Sequence, residues 1–163
     1  MVDRRIRRIT GLAPGEGTTA ALAALLFFCL MAAYFVLKPL RDEAGLAGGV
    51  DRLPNLYLFT LGAMLLLAPA FGWLARRRRR QVFLPATYHV FAANLVLFWL
   101  LFWRQPGHEP SVARVFFVWV SVFNLFTLSL FWGFMADGFG TARARRAFGV
   151  VAVGGTAGAL AGS

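Results

Sequence analysis

Apolar residues in this chain come in long runs, and charged residues gather in short clusters between them. The first run, 20–37, rises about 27 Å at about 1.5 Å per helical residue, close to a hydrocarbon thickness of roughly 30 Å. Four further runs follow. Together they predict helices over about 19–40, 54–74, 82–103, 111–136 and 147–163, after a basic tail over 1–18. The expected fold class is all-α, a polytopic membrane helix bundle of about five transmembrane helices. Pro54 suits a first helical turn, while Pro39 and Pro69 fall inside spans, where membrane helices tolerate them. Gly45, Gly48 and Gly49 predict the loop after the first helix. In the fifth helix Gly154, Gly158 and Gly162 recur every four residues, a face that lets another helix backbone come close. The last run stops at Ser163 with no polar flank, which predicts that the chain is truncated and that further spans follow.

Composition agrees with the pattern. The chain is 59% hydrophobic and only 15% charged, where a soluble domain carries about a quarter charged residues. The net charge of +10 would suggest a nucleic-acid partner in a soluble protein, but here the arginines act as topology signals and no nucleic acid is expected. The dense clusters lie in the tail, at Arg76–Arg80, and at Arg143, Arg145 and Arg146. If five helices alternate, all three are on one side, so the N-terminus is expected in the cytoplasm. Cys29 is the only cysteine, which excludes an internal disulfide and a cysteine metal site. The first run is too long for the core of a secretory signal and lacks a small-residue cleavage site, so it is expected to be retained.

The candidate chemistry centres on Lys38, Arg41 and Asp42, at the non-cytoplasmic end of the first helix, where the charge rule calls for no cations. A further helical turn puts them at i, i+3 and i+4 on one face. Two readings stand side by side. Cations suit a helix C-terminus and snorkel to headgroups; alternatively, both signs of charge line a polar cavity. Asn94 and Asn124 are expected to hydrogen-bond between helices, with Asn124 lining a substrate path as the sharper alternative. His89 reads as a packed or interfacial histidine. Asp137 and Arg146 form a candidate cytoplasmic gate. The sequence contains no metal-ligand pattern, phosphate loop or nucleophile constellation, so no cofactor and no enzymatic activity are expected.

Several motifs also carry a family resemblance. Tyr34-Phe35-Val36-Leu37-Lys38-Pro39-Leu40-Arg41-Asp42 resembles the end of helix one in the bacterial and plastid ATP/ADP nucleotide transporters, a family similar to the major facilitators. Ser121-Val122-Phe123-Asn124-Leu125-Phe126 and Phe131-Trp132-Gly133-Phe134-Met135-Ala136-Asp137 resemble its helix four, and Arg146-Ala147-Phe148-Gly149 its entry to helix five. Of the facilitator loop Gly-x-x-x-Asp-Arg-x-Gly-Arg, Gly72, Arg77 and Arg80 match, while Arg76 stands for the acid and Arg79 for the glycine. The resemblance implies the N-terminal part of a twelve-helix secondary transporter in a bacterial inner membrane. It implies an anionic, phosphorylated substrate such as ATP or ADP, moved by exchange, with Lys38 and Arg41 facing phosphate. It also implies that the bilayer and the missing C-terminal half are partners. Two other classes compete: a non-transporting membrane scaffold assembled through the glycine face, and a membrane-embedded enzyme acting on a lipid-linked phosphate.

Overall fold

The computed structural model describes the backbone of residues 16–77, 80–104, 110–138 and 141–163, and the side chains of 17–77, 82–104, 110–136 and 147–163. Among the described residues five α-helices follow one another: α1 (Glu16–Leu46), α2 (Leu53–Arg77), α3 (Arg80–Arg104), α4 (Pro110–Gly138) and α5 (Thr141–Gly162). A 3₁₀ turn, Val50–Arg52, joins α1 to α2, and the described residues contain no strand. Helices α1 to α4 are long and apolar enough to cross a bilayer; the apolar part of α5, Ala147–Gly162, is shorter. The chain is therefore an all-α membrane protein. In the apolar windows of α2 and α3 only 6% of residues are buried by the rest of the chain, so their leucines, valines and tryptophans face outward. An apolar surface that large suits hydrocarbon and not water.

Helix α1 continues past its expected end at Leu40 to Leu46, running through Pro39. Its 31 residues rise about 46 Å, well beyond the hydrocarbon thickness, so Lys38, Arg41 and Asp42 ride on an unbroken helix that has outrun its apolar run. Gly45, expected in the loop, lies inside the helix. A Cβ added there would come within 2.9 Å of the Phe117 ring, so this glycine serves a close approach between helices and not a turn. The turn falls to Gly49, whose φ of 91° favours glycine and whose amide donates to the Leu46 carbonyl at 2.9 Å.

The chain divides into two compact units, and α1 and α4 contribute to both. The first unit combines Met1–Val36 with Phe131–Ser163. Here α5 lies directly on α1. A Cβ on Gly154, Gly158 or Gly162 would strike the backbone carbonyl of Ala24, Phe28 or Ala32 respectively. Each step of four along α5 matches a step of four along α1, so the two helices run parallel. Phe27 covers Gly155 and stacks on Phe131 with ring centroids 4.7 Å apart, and Trp132 meets both rings edge-on.

The second unit, Leu37–Leu130, is held by aromatic rings. Phe98 packs on Phe116 at 5.2 Å and Phe91 on Phe123 at 5.1 Å, which sets α3 antiparallel to α4. Tyr57 meets Phe117 at 5.4 Å and Phe71 stacks on Phe126 at 4.2 Å, which sets α2 parallel to α4. Leu37, Phe98, Phe116, Val120 and Phe123 form the buried centre of this unit.

Thr60, Thr87, Ser121, Ser129 and Thr156 each donate to the carbonyl four residues earlier in their own helix. Asn94 was expected to bridge two helices; instead its Nδ2 donates to the Val90 carbonyl at 2.8 Å. In hydrocarbon an outward-facing amide has no water, and its own helix supplies the nearest acceptor.

The close approach of α5 to α1 can be tested. Gly158→Leu puts a side chain where the Phe28 carbonyl stands and is expected to lower unfolding stability in detergent by about 1–3 kcal/mol. Gly149→Ala, at a position with nothing within 4 Å, should leave it unchanged. Equal unfolding midpoints for the two variants would mean that the helices do not meet at the glycines.

Candidate functional site

The helical extension of α1 decides where its charges go. On one face of the helix, one turn before the chain leaves α1, Arg41 turns inward. Its side chain is 16% exposed, while that of Asp42 is 51% exposed. The Arg41 guanidinium lies 4.3 Å from the centroid of the Phe117 ring, within the range where a cation is attracted to a ring face. Nη1 of Arg41 pairs with Oδ1 of Asp42 at 3.6 Å. Phe117 is itself fully buried, with Gly45 at one side and the edge of Tyr57 at 5.4 Å. A bare position on α1, a ring from α4 and a ring from α2 thus surround the site where the guanidinium packs.

This arrangement leaves one donor unsatisfied. Among the described residues, Nε of Arg41 is buried and has no hydrogen-bond partner, alongside Tyr88 OH and Thr127 Oγ1. A buried cation donor without an acceptor is costly, and an anionic group is the partner that relieves it best.

The other expected residues are placed as follows. Lys38 shares α1 with Arg41 and is exposed. Asn124 is half-buried on α4, two turns beyond Phe117, or about 10 Å along the helix. Asp137 and Arg146 lie in the helical backbone of α4 and α5, and their side chains fall outside the described residues. Gly154, Gly158 and Gly162 meet α1 of the same chain. His89 is exposed, with Nδ1 2.7 Å from the Pro85 carbonyl. At the other end of α2, Arg77 lies 4.1 Å over Trp73, one turn back, a pair suited to the headgroup layer. Trp99 and Trp103 stack likewise at 5.5 Å on α3.

Sequence reasoning overlooked a cavity of about 740 Å³ in the second unit. It lies between α2 and α4, and its polar wall comprises Arg52, Asn55, Ser111 and Arg114. Phe59, Trp119 and other apolar residues line the remainder. The signal was available: Arg52 and Arg114 stand beside the loops that join α1 to α2 and α3 to α4, away from the three dense arginine clusters. Phe117 had no such signal, because one phenylalanine in a run of aromatics looks like any other. Among the described residues, no group of three or more His, Cys, Asp or Glu comes together to hold a metal.

No family model, curated protein or solved structure matches this chain.

If the ring holds the guanidinium, the two are energetically coupled. A double-mutant cycle of Arg41→Ala and Phe117→Leu, read from unfolding stability in detergent, is expected to give a coupling of about 1 kcal/mol. Strictly additive effects would dissolve the pair.

Proposed function

We propose that this chain forms the N-terminal part of a secondary membrane transporter for an anionic, phosphorylated substrate such as ATP or ADP, moved by exchange. The observation that carries the proposal is Arg41: a cation turned into the protein, standing over a buried ring, with one buried donor still unpaired. A cation buried against the protein is costly and persists where it does work. A guanidinium is suited to phosphate because its fork presents two parallel donors, which a lysine cannot do. Asp42 takes one side of the fork and orients it; the substrate takes the other. Lys38, one turn earlier, adds a second positive charge near the entrance. The resemblance of the motif around Lys38, Arg41 and Asp42 to the nucleotide transporters is what selects nucleotide among phosphorylated anions.

The topology belongs to the same proposal: N-terminus in the cytoplasm, in a bacterial inner membrane. Parallel contacts of α1 with α5 and of α2 with α4 agree with spans that alternate in direction. The scaffold alternative loses support, because the glycine face it needs is already occupied by α1.

Two measurements test this. In cells expressing the gene product, uptake of labelled ATP is expected to fall about tenfold or more with Arg41→Ala, and to stay low with Arg41→Lys, which keeps the charge but loses the fork. Undiminished uptake in both variants would remove the role given to Arg41. In a Cys29→Ala background, a single cysteine replacing the exposed Val50 is expected to react with a membrane-impermeant maleimide added outside intact cells. Labelling only after the membrane is opened would reverse the topology.

A further inference from the structure

We infer that the cavity between α2 and α4 is a binding groove for a phospholipid with an anionic headgroup, separate from the site around Arg41. Its shape and its chemistry run in the same direction. Because α2 and α4 are parallel, their first turns lie at the same end of the groove, and these turns, with the 3₁₀ turn that leads into α2, carry its polar lining: Arg52 and Asn55 on one side, Ser111 and Arg114 on the other. From there the walls are apolar, through Phe59 to Leu67 on α2 and through Trp119 to Val122 on α4. The groove therefore follows α2 for about 22 Å and α4 for about 16 Å.

The polar end fits an anion for three reasons. It holds two guanidinium groups, and no acidic side chain is among its described lining residues. Nε of Arg114 donates to the Pro110 carbonyl at 2.8 Å, which ties that guanidinium to the start of α4. The N-termini of both helices add their positive ends to the same corner. The remaining walls fit hydrocarbon. A small water-soluble anion would use the corner and leave the long apolar channel unsatisfied. A phospholipid satisfies both, and it already stands in the bilayer with its headgroup level with the helix ends and its chains pointing inward. The groove is open to the side, so a lipid enters without crossing a barrier.

Native mass spectrometry of the full chain, purified in detergent and supplied with phosphatidylglycerol or phosphatidylcholine at equal mole fraction, tests the inference. One phosphatidylglycerol per chain is expected to be retained, with at least about tenfold preference over phosphatidylcholine. Arg52→Gln with Arg114→Gln should abolish the preference, whereas Arg76→Gln with Arg77→Gln should preserve it. Val118→Trp, which fills the apolar wall and leaves the arginines in place, should lower retention of both lipids. Equal retention of the two lipids, or a preference that follows Arg76 and Arg77, would overturn the groove as the site. Displacement of the lipid by glycerophosphate at similar concentration would show that the corner takes a free phosphate and not a lipid. A dimer carrying no lipid would show that a second copy covers the groove. Any of these outcomes can occur while Arg41-dependent nucleotide uptake is intact, so the two proposals fail separately.

Discussion

Hydrocarbon offers a polar group nothing to bond with, and almost every feature of this protein follows from that. Each helix satisfies its own backbone, and the hydroxyls of Thr60, Ser121 and Ser129 donate to the preceding turn of the same helix. Asn94 does the same with its amide. A hydrogen bond made within a helix cannot hold that helix to another. Lipid tails are as apolar as leucine, so burial alone does not do it either. What remains is close packing.

The chain solves close packing in two ways. In the first unit it removes side chains: three glycines let the backbone of α5 rest on the backbone of α1, and Phe27 fills the space beside Gly155. In the second unit it adds large flat ones, and rings from α2, α3 and α4 stack and meet edge-on along α4. Helix α4, half buried in its apolar window, is the surface to which those rings attach. The two methods meet at one point, where the absence of a side chain at Gly45 lets the Phe117 ring reach α1.

That point also explains how an arginine is kept inside. A charge turned away from solvent needs partners, and Arg41 has two incomplete ones, a ring and a carboxylate. Their geometry fixes the guanidinium but does not exhaust its donors. Arg52 and Arg114 show a different arrangement, in which two arginines stand at the mouth of an apolar groove with no carboxylate among its described lining. An anion is the partner proposed for each, a compact one for Arg41 and one with a hydrocarbon tail for the groove.

Hydrophobic runs and arginine clusters determined the helices, their number and their approximate limits, because run length against bilayer thickness is a one-dimensional constraint that a chain carries in its order of residues. The glycine repeat at 154, 158 and 162 was legible for the same reason: a fixed period on a helix defines a face. The sequence did not determine which helix that face would meet, that Gly45 belongs to a contact and not a turn, or that Arg41 faces inward while Asp42 beside it is half exposed. These depend on neighbours brought from other helices. Phe117 stands far from Arg41 along the chain, and Arg52 likewise from Arg114; only the packing of α4 against α1 and α2 puts a ring under one arginine and draws the other two together at the head of a groove.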